Sequence, residues 1–514
     1  MTSPADLLAA LPQRISHPLR RWAAERPDAP AVQEHDLRLS FAALAQAVDR
    51  TKQALMDFGL RPGDRLMIVN ENCAELLTLI LAASEMDAWA VIVNARLSPR
   101  EIDTIQDHCG ARMILFTHRV SKDAAAHGQR LGATSFDIPG VGSVLAAPLN
   151  GSVQPEPVET QGKDQVAALI YTSGTTGTPK GVMLTHRNIL FVAAFSGRVR
   201  GLQADDLVYA VLPVSHVFGL SSVFMGTLYA GGCLMVEPRF SAEQVLADVA
   251  AGMTVLQGVP AMYAKILEHV KTTGASVDTH KLRYLSAGGS PLDPVIKAGV
   301  EKLFGKPLHN GYGLTEASPT ISQTRIDDPR SDCSVGQALP LVEMLIVGLD
   351  GKPCAQGDVG ELWSRGPGIM KGYYRNPDLT RMVIDENGWL NTGDFARVEA
   401  DGSLYIVGRS KELIIRSGFN VYPVEVEAVL NAHPAVTQSA VVGRSLPDGN
   451  EDVIAFVQTV PGSKVSAQEI HDFAAQQLAP YKRPAKVVIM EHLPAGATGK
   501  ILKNRLAEMA KSPS

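Results

Sequence analysis

An α/β fold with a large, multi-subdomain N-terminal domain and a small α+β C-terminal domain is what this sequence predicts, on three observations. Helix-like segments alternate with short apolar runs over residues 1–409, the pattern of layered helices and sheet. Past Arg409 the texture changes to a small α+β pattern of about a hundred residues. A chain of 514 residues also exceeds the size of a single hydrophobic core. The expected domains are therefore 1–409 and 410–514.

Taken in order, Arg20 to Glu25 begins a helical pattern that Pro27 ends, and Arg65–Val69 and Arg112–Phe116 read as short strands. The longest apolar stretch, Leu76 to Val93, carries Glu85 and Asp87, so it fails as a membrane span and reads as a buried helix running into a strand. Gly151 to Gln165 is polar, contains proline and looks like a linker. Ala167–Tyr171 and Leu404–Arg409 read as strands, as do Val436–Val442 and Asp452–Val460. Pro423 suits the first turn of one helix, and Ser466 with Glu469 forms a capping box for another.

Composition narrows the function classes. Apolar residues make up 45% and charged residues 20%, as in ordinary globular proteins. The net charge is -5 with both signs scattered, so no basic stripe serves a nucleic acid. Cys73, Cys109, Cys233, Cys333 and Cys354 are odd in number and lack a CxxC pair, which fits reduced packing thiols better than disulfides or zinc ligands. The N-terminus, interrupted by Asp6 and Pro12, lacks a signal-peptide core, and the cytoplasm is the expected location.

The strand Ala167–Tyr171 runs straight into Thr172-Ser173-Gly174-Thr175-Thr176-Gly177-Thr178-Pro179-Lys180-Gly181, where hydroxyls, three glycines and a lysine share ten residues. Glycines let backbone N–H groups approach an anion, hydroxyls add donors and lysine adds charge, so a polyphosphate is the natural ligand. A flexible surface loop is the plain alternative, less apt for a segment opening from a buried strand. A Walker loop is excluded, because Pro179 rather than glycine precedes the lysine.

Tyr171 to Gly181 resembles the signature of the adenylate-forming superfamily of acyl- and aryl-CoA synthetases, firefly-type luciferases and peptide-synthetase adenylation domains. The resemblance runs from about Arg20 to about Leu506. It implies a C-terminal domain that rotates about a hinge, at a position matched by Lys411. It also assigns Asn310-Gly311-Tyr312-Gly313-Leu314-Thr315-Glu316, a segment that alone would read equally well as a turn before a helix. Tyr312 would stack on adenine, Thr315 contact the α-phosphate and Glu316 hold Mg²⁺, a hard cation suited to phosphate and carboxylate oxygens. Asp394, in a Thr392-Gly393-Asp394 segment that is otherwise an unremarkable turn, would anchor the ribose. Arg409 would assist at the ribose or phosphate.

By the same resemblance, Gly288-Gly289-Ser290 wraps the adenine edge and walls the acyl pocket, while His216 with Phe218 and Gly219 forms a gate beside it. Gly219, Gly288 and Gly289 suggest an open pocket, and the absence of arginine from these segments favours a neutral aromatic or medium-to-long aliphatic acid. Lys500, after the turn Pro494–Gly499 and at the expected start of the last helix, matches the catalytic lysine, with Lys503 as a nearby competitor. Ser417 and Gly418 fall in the segment that reaches the thioester-forming face.

The function implied is an AMP-forming acid–CoA ligase with ATP, Mg²⁺ and coenzyme A as co-substrates. Neutralising two anions and holding an in-line geometry are the demands of its first step, for which Lys180, Glu316, Thr315 and Lys500 are the candidates. Two alternatives stand beside it: an acyl-AMP ligase loading a separate carrier protein, since fourteen residues follow Lys500, and a catalytically inactive nucleotide sensor. Luciferase-type oxidation shares the adenylation step. A homodimer would be an ordinary state for such a chain.

Overall fold

The computed structural model describes residues 3–172, 180–417, 419–446, 450–495 and 501–511. Two large sheets dominate the N-terminal part. In the first, Arg65–Asn70 pairs in parallel with Trp89–Asn94 and Met113–Phe116, and Val166–Thr172 joins in parallel beside Trp89–Asn94. Lys180–Thr185 then turns back antiparallel on Val166–Thr172. In the second, Leu207–Ala210, Val255–Gly258, Tyr284–Ala287 and Leu308–Gly313 run parallel, and Thr320–Gln323 returns antiparallel. The central strands are buried along their whole length because both faces are covered, as parallel sheets require.

Two helices complete the core between them. Ala74–Glu85 and His186–Val199 bury nearly every residue and share one continuous apolar cluster with both sheets. A helix apolar all round belongs inside a protein or a membrane. Here the first leads directly into strand Trp89–Asn94, as expected, and its carboxylates are paired: Glu85 with Arg20 at 2.8 Å and Asp87 with Arg14 at 2.6 Å. No helix among the described residues is long and apolar enough to cross a membrane.

A four-stranded antiparallel sheet follows, ordered Glu343–Val347, Gly360–Arg365, Leu390–Val398, Leu404–Arg409. Beyond it lies a small unit built on strands Val436–Ser445, Glu451–Thr459 and Lys486–Met490. Alternation places Val441, Val453, Ala455 and Val457 on one face, under helices Pro423–Asn431 and Ala467–Ala475. Ala440, Val442, Ile454 and Phe456 face the other way, under helix Lys503–Lys511. Pro423 occupies the first turn of its helix, and Ser466 and Glu469 make the reciprocal capping box.

One expectation is corrected. Residues 151–165 are no linker but a strap across the first sheet. Glu156 N donates to Gly63 O (2.9 Å) and Arg14 Nη2 to Glu159 O (2.8 Å). Arg65, 1% exposed, donates to Gln154 O (2.8 Å), Cys109 O (3.0 Å) and Gly63 O (3.1 Å). Polarity and proline describe the segment's backbone exposure equally well for a strap and a linker. The attachments of Gln154, Glu156 and Glu159 to the body of the sheet distinguish them.

Arg65→Met removes the side-chain donor to the carbonyls of Gln154 and Cys109 and one of two donors to Gly63 O, and is expected to cost about 3 kcal/mol of stability. Denaturant unfolding measures the loss, and limited proteolysis within 151–165 should accelerate with it. Unchanged protection of the strap would show that the guanidinium does not hold it.

Candidate active site

Strand Leu308–Gly313 carries the candidate site. It ends at Gly313, where a Cβ would lie 2.0 Å from Pro319 O, so only glycine lets the returning strand pass. The chain then makes a short 3₁₀ turn at Thr315–Ala317 and comes back as Thr320–Gln323. The segment is thus a strand and a tight return, not a turn before an α-helix. Thr315 is buried, and Glu316 stands at the turn with its carbonyl held by Met370 N (2.8 Å).

Glu316 has a partner that the motif reading missed. Tyr373 Oη donates to Glu316 Oε1 at 2.7 Å, and Lys180 Nζ lies 5.4 Å from the centre of the Tyr373 ring, within cation–π range. Tyr373 comes from an edge strand, Gly372–Tyr373, paired with Lys180–Thr185. Burial, with the Glu316 carboxylate beside it, pushes its phenol up and keeps it a donor. Lys180 is itself fixed by register: Thr172 and Lys180 face each other on one rung, so the loop between them starts and ends at the same point. Ser173, Gly174, Thr175, Thr176 and Gly177 lie outside the described residues.

Tyr312, three residues before the turn's start, points to a second cluster. Its hydroxyl donates to Asp394 Oδ2, and Arg409 Nε stands 3.5 Å from Asp394 Oδ1. Asp394 is 5% exposed and is the register partner of Arg409 in the four-stranded sheet. The segment read as a turn is instead an irregularity within strand Leu390–Val398, where Gly393, at φ +69°, and the hydroxyl of Thr392, which accepts from Asp394 N (3.2 Å), shift the register and present the carboxylate. Burial, reinforced by the neighbouring Asp394 charge, pushes the Tyr312 phenol up. Sheet and strand meet through one shared carboxylate.

The acyl-pocket residues also converge. A Cβ on Gly288 would sit 3.1 Å from the Phe218 ring and 3.6 Å from Gly311 O, and Gly288 N donates to Gly258 O (3.2 Å). Phe218 opens a π-helical stretch, Phe218–Met225, preceded by the exposed His216, whose Nδ1 accepts from Phe218 N (3.3 Å). Gly289, at φ +81°, is exposed and Ser290 half-buried. Asn310 donates to the carbonyls of Cys333 (3.2 Å) and Ser334 (3.3 Å), bracing the strand. Gly219 differs from expectation. A Cβ there would meet Pro213 O at 2.2 Å and Leu212 O at 2.5 Å, so its smallness serves backbone packing rather than pocket space. An arginine does reach this region, from outside the motif segments: Arg200, buried at the end of helix His186–Val199, donates to Ser222 O (3.2 Å) on the π-helical stretch.

Lys411 lies on the 3₁₀ turn Ser410–Glu412 directly after Arg409. Ser417 is exposed at φ +53°, the left-handed region, on the hairpin Ile414–Val421, and its N–H donates to Asn450 Oδ1 (2.7 Å). Gly418 and Lys500 lie outside the described residues. Helix Lys503–Lys511 begins three residues beyond Lys500, and the competitor Lys503 is engaged by Glu427 (2.8 Å) and Glu412 (2.9 Å). Among the described residues no three His, Cys, Asp or Glu side chains cluster as a metal cage. A Mg²⁺ ion shared with phosphate oxygens needs no such cage, since one or two carboxylates suffice.

Residues 19–374 match the AMP-binding enzyme family, and residues 425–500 match the AMP-binding enzyme C-terminal domain. The chain belongs to the AMP-binding enzyme family. With it comes the class: this is an AMP-forming acid–thiol ligase. A feruloyl-CoA synthase of an Amycolatopsis species is 33% identical over 96% of this chain and 98% of its own. Among solved structures, ATP-bound MatB from Rhodopseudomonas palustris superposes with a TM-score of 0.86 at 30% identity, covering 97% of this chain and 99% of that one. An o-succinylbenzoate coenzyme A synthetase from Bacillus subtilis, in complex with ATP and magnesium ion, does so with 0.81 at 29% identity, covering 95% and 98%. ATP, Mg²⁺ and coenzyme A are the co-substrates of the class.

Asp394→Ala removes the shared acceptor of Tyr312 and Arg409 and is expected to lower stability by about 1–3 kcal/mol. Tyr312→Phe should lower it by about 1 kcal/mol. A double-mutant cycle reads their coupling in denaturant unfolding; strictly additive losses would mean that the hydroxyl and the carboxylate do not act on each other.

Proposed function

We propose that the chain activates an aromatic carboxylic acid as its acyl-adenylate and transfers the acyl group to coenzyme A. The observation that carries this is the single strand and turn, Leu308–Ala317, which gathers Lys180–Tyr373–Glu316 on one side and Tyr312–Asp394–Arg409 on the other. One cluster suits phosphates and a cation, the other a nucleoside. The aromatic choice draws on the feruloyl and o-succinylbenzoate relatives and on the ring of Phe218 against Gly288.

In this reading Thr172, Lys180 and the Ser173–Gly177 loop take the phosphates, Tyr312 stacks on adenine, and Asp394 with Arg409 holds the ribose. Gly288, Gly289, Ser290, Asn310, Gly311 and Gly313 line the adenine edge and the acid slot, with His216 and Phe218 at its mouth. Thr315 contacts the α-phosphate. Mg²⁺, held at Glu316, would neutralise phosphate charge. A carboxylate oxygen of the acid bonds to the α-phosphorus as the bond to pyrophosphate breaks; Lys180 and Lys500 offset the charge of the two anions brought together. The thiol of coenzyme A, losing its proton, then bonds to the acyl carbon and AMP departs.

Two half-reactions in one site call for movement, and the attachments of the chain support a hinge at Lys411. Ser410 Oγ donates to Gly393 O (2.9 Å), on the N-terminal side. Glu412 is paired with Lys503, Ile415 N donates to Glu451 (2.7 Å), and Arg416 donates to Arg483 O (2.6 Å), all on the C-terminal side. Lys411 lies between Ser410, which is attached to one body, and Glu412, which is attached to the other. Domains 1–409 and 410–514 then rotate about it, bringing Ser417 and Gly418 to pantetheine. The cytoplasm and a homodimer complete the proposal.

Incubation with ATP, Mg²⁺, coenzyme A and a pooled acid panel, read by mass spectrometry, should yield AMP with an aromatic thioester. Adenylate without thioester would indicate a carrier protein as acceptor, and no turnover would return the sensor. Lys500→Ala is expected to slow pyrophosphate exchange by about a hundredfold while sparing thiol attack on presynthesised adenylate; equal loss in both would exclude the two-conformation assignment.

A further inference from the structure

One sheet face behind the acid slot is unusually polar for a protein core. Parallel register puts Gln257, Ser286 and, two residues beyond the His309 rung, Gly311 on the same face. Gln323 faces Gly311 on the next strand, 3.3 Å from where a Gly311 Cβ would be. Helix His186–Val199 and the π-helical stretch cover this face with Ser196, Arg200 and Ser222. Arg200 Nε donates to Ser196 O (3.1 Å), and its Nη1 to Ser222 O (3.2 Å) and Gln257 Oε1. Gln323 is tied to the same Ser196 through its carbonyl (3.1 Å) and hydroxyl (2.6 Å). Arg200 is 3% exposed and Gln257 fully buried.

The network is complete except on one side. Arg200 Nη2 and Gln257 Nε2, both buried donors, have no hydrogen-bond partner among the described residues. No carboxylate pairs with Arg200 among the described residues, and burial pulls its guanidinium down to about 10. An unpaired buried charge and two unused donors cost several kcal/mol unless something accepts from them. Gly226 lies beside that donor, where a Cβ would be 3.6 Å from Arg200 Nη2. A purely structural tie between helix and sheet would need only the donors already used.

We propose that this cluster is the floor of the acid pocket, and that the acid carries a hydrogen-bond-accepting oxygen at its end away from the reacting carboxylate, received by Arg200 and Gln257. The inference rests on the ligase reading and narrows its substrate class. It replaces the expectation of a featureless neutral acid. A phenolic or carbonyl oxygen and a second carboxylate share the accepting chemistry. Arg200 is a specificity residue distant from the reacting atoms.

The test is ATP–pyrophosphate exchange by the full chain with matched cinnamic acids bearing a para-hydroxyl, para-acetyl, para-carboxylate or para-methyl group. The oxygen-bearing acids should exceed the methyl control by about tenfold or more in kcat/KM, since a site built for a hydrogen bond rejects the analogue lacking it. Preference for the carboxylate identifies an anionic terminus, preference for the hydroxyl or acetyl a neutral one. Arg200→Met should bring the ratio near one, and Arg200→Lys should restore part of it; ratios within one enzyme are insensitive to the fraction folded. A wild-type ratio of one or below overturns the proposal even if both variants fail to fold, and a ratio unchanged in Arg200→Met overturns the role of Arg200. Exchange with none of the acids overturns the aromatic-acid reading, and this inference with it.

Discussion

The carboxylate of Asp394 is the constraint on which the site's geometry depends. It is nearly buried, yet it belongs to the four-stranded sheet while its donor Tyr312 belongs to the nine-stranded one. A buried carboxylate demands partners, and here the demand fixes the distance between two separately folded layers. Arg409, opposite it in register, makes the last strand before the C-terminal unit part of the same arrangement. A ligand that bonds to Asp394 therefore meets an acceptor already oriented from two sides.

Lys180 and Glu316 are positioned by an equivalent device. Neither is held by a salt bridge to the other; Tyr373 stands between them, offering a ring face to one and a hydroxyl to the other. An aromatic intermediary keeps cation and anion apart, so both retain capacity for phosphate and metal. A direct ion pair would have satisfied the two charges and left less for a ligand.

Local signals were legible in the sequence and long-range ones were not. The capping box at Ser466 and Glu469, Pro423 in a first turn and the strand Leu404–Arg409 rest on contacts within a few residues, and each appears where the pattern puts it. Tyr312, Asp394 and Arg409 were legible only through family resemblance, since nothing in their spacing shows that they meet. Tyr373 went unseen because an aromatic before another aromatic reads as core. Arg200 went unseen because a lone arginine at a helix end reads as a solvated cap, and its burial follows from a π-helical stretch packing over it. Gly219 was misread for the complementary reason: a glycine's role depends on what a Cβ would strike, and the carbonyls of Leu212 and Pro213 are known only once the chain is folded.

The same dependence on tertiary attachment decides where the two bodies divide. Composition changes at Arg409, but composition cannot separate Arg409 from Glu412, two residues three positions apart that differ in what they hold. Arg409 is registered against Asp394, whereas Glu412 is paired with Lys503, whose other partner, Glu427, sits on the first helix of the small unit. For Lys503, burial opposes the charge and the two carboxylates outweigh it, raising its pKa, so this link is ionised at neutral pH. Under the proposed rotation, a pivot placed after Glu412 would have to break that ion pair on every turnover, whereas one at Lys411 would leave it intact.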